Sequence, residues 1–220
     1  MNLIDIHTHT RQPESDHIQL VNLFPGGDAR LPEQGWYTAG QHPWHITMEN
    51  RQAALNWVKE CASQDRVLAI GETGLDKTTA VPWELQEAVF TAHIRLAEAL
   101  RKPLIIHCVQ AYSEMLAFRK KSDLSLPWIF HWFNSGEQTA RELIRKNCYL
   151  SYGASLFRPG SKAFRAFPAL PASNLFMETD DAGYSIPEVY EKAAAMRDIS
   201  LESWMRTMAA NFRQCFGREV

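Results

Sequence analysis

A chain of 220 residues with 45% hydrophobic content is long enough to bury a sizeable core, and single α/β barrels often have this length. The formal net charge is -2 and Lys and Arg are spread along the chain, so no basic stripe announces extended nucleic-acid binding; a small substrate or the end of a polymer fits better. Cys61, Cys108, Cys148 and Cys215 form no Cys-x-x-Cys pair, the N-terminus has no basic leader, and no apolar run is long enough to span a bilayer. The expectation is one cytoplasmic domain over residues 1–220, with no membrane anchor and no inferable protein partner.

In chain order, β-rich apolar runs fall at residues 3–9, 18–24, 36–41, 67–72, 104–107, 128–131, 148–154 and 175–180. Between them, residues 48–62 and 83–100 carry Ala54, Val58, Cys61 and Leu85, Val89, Ala92, Leu96 at helical spacing. The early connections are short or rich in Gly and Pro, so one or two outer helices are expected to be absent there, whereas residues 187–216 read as closing helices. Strands alternating with helices predict an α/β fold, a (β/α)8 TIM-type barrel with abbreviated early helices. In that fold the strands' C-terminal ends share one face, where active sites are built.

Five of these runs end in a metal-binding side chain. His7 and His9 lie two apart on one strand and face the same way, with Asp5 behind them to accept the second ring N–H of an imidazole. His107 and His131 each follow an apolar run, and Glu72 and Asp180 are carboxylates closing buried strands, which is costly unless they are paired or coordinate a metal. Taken together the six point to a metal site. His42 and His45 flank Pro43-Trp44 at the third strand's end and are candidate substrate contacts. Ser135 with Gln138 fits a capping box, which would aim backbone N–H groups near Ser135 and Gly136 at an anion, with Arg158 and Lys162 adding positive charge. Asp181 reads as a solvated loop carboxylate, and His17 and His93 receive no role. No Gly-x-x-x-x-Gly-Lys loop or Gly-x-Ser-x-Gly elbow is present, so NTP hydrolysis and serine-esterase chemistry lack support.

The motifs Asp5-Ile6-His7-Thr8-His9, Gly40-Gln41-His42-Pro43-Trp44-His45, Gly71-Glu72-Thr73-Gly74-Leu75-Asp76, Pro103-Leu104-Ile105-Ile106-His107, His131-Trp132-Phe133-Asn134-Ser135-Gly136 and Glu178-Thr179-Asp180 resemble, in this order, those of the TatD family of metal-dependent deoxyribonucleases, within the amidohydrolase-like barrels. The resemblance extends to Asn211-Phe212-Arg213-Gln214-Cys215-Phe216-Gly217 and spans nearly the whole chain. It implies a barrel holding two divalent ions, zinc, manganese or magnesium, with His7, His9, Glu72, His107, His131 and Asp180 as ligands and Glu72 bridging. The assignment adopted puts His7, His9 and Asp180 on one ion and His107 and His131 on the other, with Glu72 between them and Asp180 placed to deprotonate the attacking water.

Some positions depart from the family pattern. Val109 stands two residues after His107, where the family commonly carries Arg, and residues 11–17 replace a Gly-Asp-rich loop. The implied function is a two-metal phosphodiester hydrolase, a deoxyribonuclease trimming DNA ends or acting on a small phosphodiester. The alternatives are an amidohydrolase-type enzyme for a small amide, lactone or nucleobase, and a catalytically retired metal-binding interaction protein. Such amidohydrolases often bridge their metals with a carboxylated Lys, and here Glu72, not Lys, ends the relevant strand.

Overall fold

The computed structural model describes residues 2–10, 17–26, 31 and 34–220. The eight expected strands are all present: β1 (Ile4–Thr8), β2 (Ile18–Leu23), β3 (Trp36–Ala39), β4 (Val67–Asp76), β5 (Leu104–Val109), β6 (Trp128–Phe130), β7 (Cys148–Tyr152) and β8 (Leu175–Met177). They follow one another in chain order in a single sheet, and the β1–β2, β3–β4, β4–β5 and β7–β8 ladders are parallel. Seven α-helices accompany them: α1 (Arg51–Ala62), α2 (Trp83–Leu100), α3 (Tyr112–Arg119), α4 (Glu137–Ile144), α5 (Lys162–Ala166), α6 (Ile186–Met196) and α7 (Leu201–Phe216). Among the described residues no α-helix precedes α1, as the short early connections suggest. Residues 11–16 of the loop after β1 and parts of 25–35 lie outside the described residues.

The chain divides into two compact units, the first of Met1–Val21 and Phe130–Val220, the second of Asn22–Ile129. In the first, Tyr190 of α6 fastens β1: its hydroxyl accepts from Ile4 N at 3.1 Å and donates to Ile4 O at 3.0 Å. Asn211 of α7 donates to Ala172 O and Leu175 O, both at 2.8 Å, and so fixes the start of β8. Ser185 and Glu188 form a capping box on α6, and Ser200 caps α7. Ile4, Ile6, Leu150, Phe176, Val189, Trp204 and Phe212 are buried around these anchors.

In the second unit all ten residues of β4 are buried, as expected of a parallel strand covered on both faces. Glycines allow β4 to run close to β5. A Cβ on Gly71 would stand 2.4 Å from Ile105 O, and one on Gly74 1.9 Å from His107 O. Lys102 reaches the end of α1, donating to Ala62 O and Val67 O at 2.6 Å. His93, given no role from sequence, is a structural histidine: Nδ1 lies 2.8 Å from Val89 O and Nε2 accepts from Gln41 N. Burial lowers its pKa to about 4, against the opposing Val89 bond.

Several boundaries differ from the sequence reading. β4 runs four residues past Glu72 to Asp76, while β8 stops at Met177 and leaves Asp180 beyond it. α1 begins at Arg51 rather than residue 48, although a turn at 48–50 leads into it through reciprocal Thr47–Asn50 bonds and Arg51 N to Thr47 O. The expected Ser135–Gln138 capping box is not formed, because Gly136 takes the N-cap place of α4 and moves Gln138 out of the position three residues on.

Candidate functional site

In the first unit the ends of β1 and β8 are tied by backbone. Asp180 N donates to His7 O at 2.9 Å, and Thr8 and Asp180 form a parallel bridge. Asp180 holds a left-handed backbone, φ 54°, which Asp tolerates better than most residues. Its Oδ1 lies 2.8 Å from His9 Nε2 and 3.6 Å from His7 Nε2. The His131 ring stands 4.4 Å from that of His7, centroid to centroid. His7, His131 and Asp180 each offer a ligand atom within 4.8 Å of the others, in a largely buried group. The structure therefore gathers His7, His9, His131 and Asp180; the sequence assignment had placed His131 with His107.

Two acids lie behind this group. Asp5 accepts from Thr179 N at 3.0 Å and from Thr179 Oγ1 at 2.6 Å, so it clamps the segment carrying Asp180. Burial raises its pKa to about 6, against those two bonds. Glu178 is fully buried and accepts from Trp132 N; burial, reinforced by the Asp180 charge, holds its carboxyl well above the usual range. Sequence reasoning assigned Glu178 no role, although a carboxylate ending an apolar strand is the signal that found Glu72.

The second unit gathers His42, Glu72 and His107, whose ligand atoms also lie within 4.8 Å of one another. His107 Nδ1 is 2.9 Å from Glu72 Oε1, and His42 Nε2 is 3.2 Å from the same oxygen and 3.1 Å from His107 Nδ1. His42 Nδ1 accepts from Trp44 N at 3.1 Å, so Nε2 carries the proton of the neutral ring. Burial lowers the His42 pKa, with Glu72 opposing. Asn22 Oδ1 accepts from Glu72 N at 2.7 Å and from Thr38 Oγ1 at 2.8 Å, fixing the Glu72 backbone.

Asp76 completes this group and was missed from sequence as a participant. Its Oδ2 lies 3.1 Å from His107 Nε2 and accepts from Trp44 Nε1 at 2.6 Å, while Oδ1 accepts from Thr78 N and Oγ1. Burial would raise the Asp76 pKa, but the bonds from His107, Thr78 and Trp44 outweigh it and hold the carboxyl well below its ordinary range. Burial would likewise lower that of His107, yet Asp76 and Glu72 raise it to about 9. A ring with one nitrogen toward Glu72 and the other on a fixed carboxylate has the arrangement of a metal-ligating histidine, whose second N–H donates to an oxygen that sets its orientation.

The remaining candidates occupy different settings. His45 is exposed, its ring 5.8 Å from His42 and 6.4 Å from Phe24. Ser135 and Gly136 lie at the start of α4, where the nearest side-chain atom to a Cβ built on Gly136 is Lys162 Cβ at 4.0 Å. The Arg158 guanidinium lies 5.8 Å from the Trp132 ring centroid, next in sequence to His131. Both groups of imidazoles and carboxylates fit divalent ions by the chemistry of their donors and by their spacing.

Comparison with known proteins agrees with these motifs. The model of the family described as "TatD related DNase" matches residues 28–217. The chain is 36% identical over 169 residues to a protein of Cronobacter turicensis named "3'-5' ssDNA/RNA exonuclease TatD", which covers 74% of this chain and 63% of that protein. It is 32% identical over 142 residues to "Uncharacterized metal-dependent hydrolase YabD" of Bacillus subtilis, over 62% of this chain and 56% of that protein. The chain thus spans about three fifths of the length of these relatives. Its fold superposes on the crystal structure of YJJV, a TatD homologue from Escherichia coli, with a TM-score of 0.86 at 19% identity, over 98% of both chains. The eight strands with interleaved helices are therefore the TatD form of the (β/α)8 barrel, and the chain belongs to the TatD-related DNase family.

Proposed function

We propose that this chain is a two-metal hydrolase of phosphodiester bonds that trims single-stranded nucleic acid from an end. The observation that carries the reading is the pair of buried ligand groups, His7, His9, His131 and Asp180 in one unit and Glu72 and His107 with His42 in the other. Relatives named as 3'-5' ssDNA/RNA exonucleases supply the substrate class. Divalent ions held there would polarise a phosphoryl oxygen and lower the pKa of a bound water to near neutrality.

The chain's own residues then have distinct tasks. Asp180, with His9 2.8 Å from its Oδ1, is placed to take the proton of the attacking water. Asp5 holds the Asp180 segment through Thr179, and Asp76 holds His107 through its ring nitrogen. His42 presents Nε2–H toward Glu72 and is the candidate donor to substrate or leaving group, with His45 beside it. The N-terminus of α4, at Ser135 and Gly136, is the candidate phosphate contact. A carboxylate, not a Lys, stands at Glu72, which favours the nuclease over an amidohydrolase. None of the four cysteines forms a disulfide, in keeping with a reducing, cytoplasmic setting, and among the described residues no helix is long and apolar enough to cross a membrane.

The test has two arms. Elemental analysis of purified protein should find about two divalent ions per chain, and EDTA should abolish hydrolysis of a single-stranded DNA in a panel that also contains duplex DNA, RNA and small phosphodiesters. Metal-free protein with EDTA-resistant activity overturns the metal reading, and turnover confined to amides or lactones overturns the nuclease reading. Glu72→Ala and His107→Ala should each weaken binding of the ion held by the second unit's group; full metal content in both variants rejects that group as a metal site.

A further inference from the structure

Trp44 is an exposed aromatic held against the ligand group of the second unit. The side chain is 57% exposed, yet its indole N–H is committed to Asp76 Oδ2 at 2.6 Å. Its ring lies 4.9 Å from that of His42 and 6.0 Å from that of His107, edge to face in both cases. The backbone is fixed as well, since Trp44 N donates to His42 Nδ1 in the turn that Pro43 opens. The indole is thus anchored at its polar edge while more than half of the residue stays exposed.

Other apolar side chains of this unit are exposed too. Phe24 and Met48 are also exposed, at 36% and 60%, and Phe24 packs edge to face with His45. β5 ends in apolar Val109 two residues after His107, and Lys77, next to Asp76, pairs with Glu114 and lies 5.6 Å from the Trp83 ring. A flat unsaturated ring finds a fixed stacking surface on the held indole.

We propose that Trp44 stacks on the base of the terminal nucleotide and seats it beside Glu72 and His107, so that strand ends are recognised in this unit through base stacking. The inference rests on the nuclease reading. Stacking on an aromatic side chain is sequence-tolerant because every base has a π-face. The enzyme should therefore require a base at the strand end but discriminate weakly among bases.

The experiment compares two single-stranded DNA oligonucleotides, one ending in an ordinary 3' nucleotide and one in a 3' abasic residue, with wild type, Trp44→Phe and Trp44→Ala. Binding is read in EDTA by anisotropy of a 5' label, and hydrolysis with metal. Wild type should bind and process the base-bearing end at least about five-fold better than the abasic end. Trp44→Phe, which keeps a ring, should retain most of that ratio, and Trp44→Ala should bring it near one. If Trp44 acted only by holding Asp76, both variants would lose the indole N–H alike, kcat would fall, and the ratio would not change; that result overturns the proposal. Equal binding of the two ends by wild type also overturns it. Wild type that binds the base-bearing end more tightly but hydrolyses neither strand upholds stacking and rejects the nuclease reading, so the two failures are distinguishable.

Discussion

The two candidate ligand groups are held by different means. In the first unit the backbone does the positioning: Asp180 is hydrogen-bonded through its own N–H to β1, and Asp5 grips the adjacent Thr179 rather than a ligand ring. In the second unit a side-chain chain does it, from Trp44 and Thr78 through Asp76 to the ring of His107. A ligand fixed by strand backbone should tolerate loss of its outer partners, at a cost in stability. A ligand fixed by one carboxylate should not, and the cost should fall on metal affinity.

The largest expected effect tests the chemistry that the first group serves. Asp180→Asn preserves shape and can still coordinate through its carbonyl oxygen, but it cannot accept the water's proton. Loss of a general base typically costs roughly 10² to 10⁴ in rate. Turnover at saturating metal should fall by about that factor, with metal retained and KM little changed. A variant within a few-fold of wild type would remove Asp180 from the mechanism and make His42 the next residue to test.

Asp76→Asn probes the other side of the comparison. Both carboxylate oxygens of Asp76 face donors, Trp44 Nε1 and His107 Nε2 on one and Thr78 N and Oγ1 on the other. An amide must turn its NH2 toward one of these pairs. Loss of such a partner typically lowers metal affinity or activity by about 10- to 100-fold. Metal titration followed by chromophoric chelator should show weakened binding, while the denaturation midpoint moves little. Unchanged affinity would show that Asp76 does not orient His107.

The strands were legible in sequence because parallel strands buried on both faces read as continuous apolar runs, and Val67-Leu68-Ala69-Ile70 is such a run. The far half of β4 was not, because Gly71, Thr73 and Gly74 carry no apolar signal; their small size serves the close approach to β5. Asp76 was hidden with it, although it shares strand parity with Glu72. Asn22 was hidden as a polar residue in a largely apolar strand, and only the structure gives its bond to Glu72 N. The candidate ligand residues stood out because imidazoles and carboxylates ending buried strands are costly without a partner. Their grouping was legible in part: His7 and His9 do meet Asp180, and Glu72 meets His107, but chain order carries no distance between strand ends, and His131 lies with His7 and Asp180. At α4 the reading missed by one residue, because Gly136 caps as readily as Ser135 would.

The smallest effect concerns the Asp5 clamp and sharpens the contrast with Asp76. Thr179→Val removes the hydroxyl that donates to Asp5 Oδ2 at 2.6 Å but keeps the side chain's shape and the Thr179 N bond to Oδ1. A hydrogen bond to a charged acceptor is worth about 1.5 to 3 kcal/mol, but Asp5 is raised to about 6 and keeps its second bond, so the lower end applies. Stability near neutral pH should drop by roughly 1.5 kcal/mol, read as a lower denaturant midpoint at unchanged slope. Metal content should stay the same, because Asp180 is still held by its own N–H to His7 O. Were Thr179→Val to lose metal as readily as Asp76→Asn, the first group too would depend on its side-chain clamp, and the proposed division between backbone-held and side-chain-held ligands would fail.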